Sequence, residues 1–114
     1  MKRSNHRDCD YFASLVVTVN IFVDLLNLEN YPNAIPDFTQ AIEINPNYLD
    51  AYYNRGCCYF YIQDYQAAIN DFSFSIQINP QYLQAYSARA NSYIALGEIT
   101  KAELDFQKVK ELGG

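Results

Sequence analysis

The sequence is short of the residues on which catalysis and charge recognition most depend. Its 114 residues hold no tryptophan, one histidine (His6), four glycines and four prolines. Four glycines leave little material for a phosphate-cradling loop, and one histidine in a polar stretch supplies no acid–base pair. No catalytic constellation is therefore expected, and no cofactor. Cations are scarce as well: from Tyr11 to Ala88 the only Lys or Arg is Arg55, against Asp24, Glu29, Asp37, Glu43, Asp50, Asp64 and Asp71. Binding through phosphates needs clustered Lys and Arg, so nucleic acid is excluded as a partner of this body, and an anionic membrane surface with it. No apolar run reaches the roughly 20 residues of a membrane span. The stretch 11–23 follows Lys2, Arg3 and Arg7, but Asp8 and Asp10 intrude and no small-residue cleavage site follows, which argues against a secretion signal.

Cysteine is equally uninformative about a framework. Cys9, Cys57 and Cys58 make an odd set, and chain neighbours close only a strained bridge, so no disulfide is expected and a cytoplasmic setting is the simplest. Metal ligation lacks paired Cys or His at loop spacings, so no metal site is expected either. Cys57 and Cys58 then read as two small apolar residues on a helix.

What the sequence does have is apolar and aromatic: half the residues are hydrophobic and 18% charged, with 11 Tyr, 7 Phe and a formal net charge of −5. That is enough to build a core and argues against disorder. Many tyrosines should bury the ring and keep a polar partner for the hydroxyl.

The strongest signal is internal repetition. Shifting the sequence by 34 residues sets Glu43-Ile44-Asn45-Pro46-Asn47-Tyr48 over Gln77-Ile78-Asn79-Pro80-Gln81-Tyr82. Residues 15–48 and 49–82 share 12 identities, ten of them after Leu28, so the first half of the first unit has drifted. A third unit, 83–114, keeps Leu83, Ala85, Tyr86, Arg89, Tyr93, Ala102, Asp105 and Phe106 in register. Residues 1–14 form a polar leader. Within each unit the apolar residues recur at three and four, as in Tyr52, Gly56 and Tyr59 and then Ala68, Phe72 and Ile76, which is the period of an amphipathic helix. Each unit is thus two helices, parted near Asp64 in the second and closed by Asn45-Pro46 or Asn79-Pro80. Asn47 is expected to cap the next helix, with Asp50 in its first turn. Pro32 and Pro36 should delay or kink the second helix of the first unit.

These units resemble the tetratricopeptide repeat, a 34-residue helical hairpin with a small residue and aromatics on one helix, Ala and an aromatic on the other, and a closing proline. The second unit carries Tyr52, Gly56, Tyr59, Ala68, Phe72 and Pro80 at those places, the third Tyr86, Ala90, Tyr93, Ala102 and Phe106, and the first only Ala34, Phe38, Ala41 and Pro46. The resemblance implies an all-α fold, stacked hairpins in a right-handed superhelix, whose concave groove is lined chiefly by first helices. It therefore implies a non-catalytic protein-interaction module or assembly scaffold with a protein or peptide partner. In that register the groove presents Asn20, Asp50, Tyr53, Asn54, Cys57, Phe60, Tyr61, Gln84, Ser87 and Asn91, with Ala88 and Ala95 beside them. One branch of the family clamps the C-terminal carboxylate of chaperones through Lys, Asn and Arg; here only Asn54 matches, the other places holding Val19, Val23, Gln84 and Ala88. Another branch runs a ladder of asparagines, which Asn20 and Asn54 begin and Ala88 breaks. An alternative is a docking or regulatory segment related to a larger repeat-containing enzyme such as a glycosyltransferase.

Two further periodicities bear on packing. Arg55 and Arg89 share one register, and Asp37, Asp71 and Asp105 another, which is the pattern of repeated internal ion pairs between helices. On the last helix Glu103 and Lys110 replace the Ile69 and Ile76 of the second unit, so a polar C-terminal face is expected. The first helix carries Val16, Val17, Val19, Val23 and Leu26, more apolar surface than one core-facing stripe needs, so either residues 8–14 extend the helix and fold over it or, as the favoured expectation, two chains meet there in a weak homodimer.

Overall fold

The computed structural model describes residues 30–114, which form five α-helices with no strand among them. They are α1 (Asn30–Ile44), α2 (Leu49–Tyr61), α3 (Tyr65–Ile78), α4 (Leu83–Ala95) and α5 (Ile99–Glu111). Each helix packs on its chain neighbours, and α2 also touches α4. This is the contact pattern of stacked hairpins: α2 with α3 and α4 with α5 are complete pairs, and α1 is the second helix of the unit before them. The leader, the drifted first helix with Asn20, and the homodimer expected through it lie outside the described residues.

The breaks fall where the repeat puts them, but the capping chemistry differs from expectation. Asn47 does not cap α2: the cap position is Tyr48, without a side-chain bond. Asn45 acts instead, its Oδ1 accepting from the Asn47 N–H at 3.1 Å, and Asn79 repeats this with the Gln81 N–H at 3.0 Å. In both linkers the asparagine before proline folds the chain by an Asx turn. Within the second hairpin Asp64 caps α3, accepting from the Ala67 N–H at 3.3 Å. The residue before it, Gln63, holds a left-handed φ of 70°, and the equivalent place in the third hairpin is Gly97 at 79°.

The prolines do not delay α1. The helix starts at Asn30 and runs through Pro36. Pro32 lies in the first turn, where a missing N–H costs nothing. Pro36 forfeits one internal bond, which the half-buried stripe Ala34, Ile35, Phe38, Ala41 and Ile42 offsets through packing on α2.

The seam inside the second hairpin is set by glycine. A Cβ at Gly56 would lie 2.7 Å from Phe72 Cε1, and Phe72 is fully buried. Ala68, Ala85, Ala90 and Ala102 are buried as well, so small residues let the helices close and aromatics fill what remains. Tyr86 shows the expected compromise for a tyrosine: its ring is buried and its hydroxyl donates to the Pro80 carbonyl at 2.8 Å.

The last helix exposes apolar side chains beside the expected polar ones. Glu103 and Lys110 are exposed, but so are Ile99, Leu104 at 66% and Phe106 at 37%. Phe106 is the repeat counterpart of Phe72, which is fully buried.

Candidate functional site

The paired registers of arginine and aspartate resolve into two copies of one arrangement. Arg55 on α2 donates through Nε and one terminal nitrogen to the two carboxylate oxygens of Asp71 on α3, both at 2.8 Å. Its remaining nitrogen donates to Thr39 Oγ1 on α1 at 3.0 Å. Arg89 on α4 does the same to Asp105 on α5 at 2.8 Å twice, and to Ser73 Oγ on α3 at 3.0 Å. The guanidinium carbons sit about 6 Å from tyrosines one turn away on either side: Tyr52 and Tyr59 for Arg55 (5.9 and 6.0 Å), Tyr86 and Tyr93 for Arg89 (5.8 and 5.9 Å). Each arginine thereby joins three successive helices. Both are consumed by packing, and the Asp71 bond holds the Arg55 guanidinium above its usual range. Asp37, the first aspartate of the series, is exposed, and the place 34 residues before Arg55 is Ile21.

The residues of the expected groove separate by depth. Tyr53 and Cys57 are core residues at 1% and 5% exposure, with Tyr53 meeting Phe72 at 5.7 Å between ring centres and Tyr82 edge-on at 5.3 Å. Ala88 belongs to the same core. These three back the face that α2 and α4 make and offer it little contact surface. Asp50, Asn54, Phe60, Tyr61, Ser87 and Asn91 are partly exposed, and Gln84 and Ala95 are exposed. Phe60 and Tyr61 enter an aromatic cluster at the C-terminal end of α2: Tyr61 stacks on Tyr31 of α1 at 4.8 Å, and Phe60 meets Tyr61 and Tyr65 edge-on at 5.5 and 5.4 Å. Tyr31, at the start of α1, was not foreseen, because its repeat register marks a helix start and gives no hint of a ring stacked on the neighbouring helix. Asn54 stands out chemically. Its Oδ1 is shut off from solvent and has no hydrogen-bond partner, a state that costs about 1–3 kcal/mol.

The adjacent cysteines have opposite fates. Cys58 is free and buried, but Cys57 is disulfide-bonded. The expectation that no cysteine bridges is therefore corrected, and with it goes the cysteine argument for a reducing compartment. Burial, reinforced by the nearby Asp71 charge, pushes the Cys58 thiol from 9.0 up to about 12. The folded state thus favours the protonated thiol. This stability is complete below pH 9 and is lost as pH climbs toward 12; its full size is on the order of 4 kcal/mol. Denaturant titrations at pH 8 and pH 11 should show a larger alkaline loss for the wild type than for Cys58→Ala, the other alkaline titrations being common to both. An equal loss in the two proteins would mean that the thiol is not shielded.

Among the described residues no group of three His, Cys, Asp or Glu side chains could hold a metal ion, and no helix is long and apolar enough to cross a membrane. Sequence models of the tetratricopeptide repeat match residues 49–82 and 83–112, and a further TPR repeat model matches residues 25–60. The chain belongs to the tetratricopeptide repeat family. Its architecture is accordingly an all-α TPR solenoid, and solved TPR structures superpose on it. The first TPR of Spaghetti (RPAP3), bound to the HSP90 peptide SRMEEVD, is 27% identical with a TM-score of 0.72, covering 77% of this chain and 70% of that one. The second TPR of the same protein, bound to the same peptide, is 29% identical with a TM-score of 0.70, covering 72% and 76%. MamA, at 24% identity and a TM-score of 0.71 over 80% of this chain and 55% of its own, shares the fold. A comparison with curated proteins finds no match.

Proposed function

We propose that this TPR chain is a non-catalytic interaction module or assembly scaffold that binds a protein segment across the face built by α2 and α4. The observation that carries the reading is Asn54 of α2, a partly exposed residue whose amide oxygen is buried without a partner. A small rotation of the amide turns that oxygen outward, where a backbone N–H of an extended peptide relieves the cost of leaving it unpaired. Gln84 on α4, which is exposed, supplies a further hydrogen-bonding side chain. The superposed TPR domains of Spaghetti, each bound to a peptide, support the same use of the fold.

The test avoids Tyr53, since truncating a ring that is 1% exposed would unfold the protein before it informed on binding. The variant Asn54→Ala with Asn91→Ala should melt within about 3 °C of the wild type, a change of less than roughly 1 kcal/mol. It should also lose partners that the wild type captures from native lysate. Capture unchanged in the variant would move the interaction surface away from α2 and α4.

A further inference from the structure

The last helix carries a surface of its own, apart from the α2–α4 face. On α3, which packs on α4, the stripe Tyr65, Ile69, Phe72 and Ile76 is buried or half-buried. Its counterparts 34 residues on are Ile99, Glu103, Phe106 and Lys110 of α5. All four are exposed, Ile99 at 51% and Phe106 at 37%. At 100° per residue they fall within about 60° of one another around the helix, so they form a single stripe, and Leu104 lies outside it.

The charges on this stripe are the ones that α5 leaves over. Asp105 is held by Arg89, Lys101 pairs with Glu98 at 2.9 Å, and Lys108 lies 3.8 Å from Glu111. Glu103 and Lys110 enter no ion pair among the described residues. They are seven residues apart, about 10 Å along the axis, beyond the three- or four-residue spacing that brings side chains of one helix together. Along α5 the stripe therefore runs acid, aromatic, base, and the surface that complements it runs base, aromatic, acid. A second α5 laid antiparallel has that order. A parallel one would set Glu103 on Glu103 and Lys110 on Lys110.

We propose that α5 is a self-association surface, on which two copies of this chain meet about a two-fold axis with their α5 helices antiparallel. Glu103 and Lys110 pair with the partner's Lys110 and the partner's Glu103. The midpoint between those two positions falls beside Phe106, so the same register sets Phe106 on the partner's Phe106 at the axis. A contact along one helix of 13 residues, about 20 Å long, is smaller than a standard interface, and exposed ion pairs add little each. The dimer is accordingly weak, and the charges fix its direction and register. Since α5 takes no part in the face built by α2 and α4, the dimer carries two copies of that face.

Sedimentation equilibrium on the full chain tests this. Between about 10 µM and about 1 mM the mean mass should rise from 13.1 kDa toward twice that value. Glu103→Lys and Lys110→Glu, both at exposed positions, should melt like the wild type. Each alone should weaken self-association by about ten-fold or more, because it faces like charges at both symmetric contacts. A 1:1 mixture of the two variants should associate at least as tightly as the wild type, and the double variant in one chain should recover wild-type association. A wild type that stays monomeric at about 1 mM would overturn the proposal. So would a mixture no tighter than its components. An association that neither single variant weakens would also overturn it, by moving the contact to another part of the chain.

Discussion

Gly56→Leu should leave the protein largely unfolded at 37 °C, and Gly56→Ala should already lower its melting temperature. On propensity alone an alanine in mid-helix would be better than glycine by about 1 kcal/mol. The geometry reverses the sign. The new Cβ would sit 2.7, 2.9 and 3.1 Å from three atoms of one edge of the Phe72 ring, and that ring is enclosed on all sides. Overpacking of this kind costs about 1–3 kcal/mol for a small increment. For Gly56→Ala the net loss should be about 1 kcal/mol, or roughly 4–8 °C in a domain of this size. Leucine adds three more carbons to a seam that has no room for the first, so its loss should exceed about 3 kcal/mol. Calorimetry of Gly56→Ala, Phe72→Leu and the two combined, in which the smaller side chain restores space, makes a double-mutant cycle. A Gly56→Ala variant more stable than the wild type would show that Phe72 can retreat and that the seam is looser than its geometry.

Asp71→Ala should cost about 3 kcal/mol, because it strands a guanidinium that is only 17% exposed. The loss falls at the lower end for a buried pair, since Arg55 keeps Thr39 Oγ1 and the faces of Tyr52 and Tyr59. Removing both charges is a different matter. Arg55→Met with Asp71→Leu replaces the pair by apolar side chains of similar length and should recover most of the stability, as buried pairs repay little beyond their desolvation. Urea denaturation of the two single variants and the double measures the coupling. A double variant as unstable as Asp71→Ala would show that the arginine serves chiefly to dock three helices through its hydrogen bonds. A stability unchanged by Arg55→Leu, together with loss of partner binding, would return this residue to the ligand.

The repeat made much of this architecture legible before any coordinates. A 34-residue shift places Arg55 over Arg89 and Asp71 over Asp105, and a pairing that recurs with the hairpin can be read from its period. Small residues at Gly56, Ala68, Ala90 and Ala102 likewise announced close helix contacts, because only packing selects small side chains at that spacing. The third partner of each arginine was hidden. Thr39 and Ser73 are not identical, so an identity search passes over a hydroxyl that serves the same purpose in both.

The sequence by itself determined the unit, its two helices, the linkers at Asn45-Pro46 and Asn79-Pro80 and the internal ion pairs, since each follows from local periodicity or from a residue's own backbone preference. Tertiary structure decided which residues of the α2–α4 face are surface. Helical phase tells which way a side chain points; it cannot tell what lies in front of it. Tyr53 is core because Phe72 and Tyr82 from two other segments close over it, whereas Asn54, the next residue on α2, keeps partial exposure. Cys57 and Cys58 differ by the 100° that one residue turns a helix, and that rotation alone sends one to a bridge and the other into a buried pocket beside Asp71. Pro36 inside α1 is the same lesson in reverse: a local rule that would end the helix is outweighed by a stripe packed on its neighbour, and only the neighbour's position reveals it.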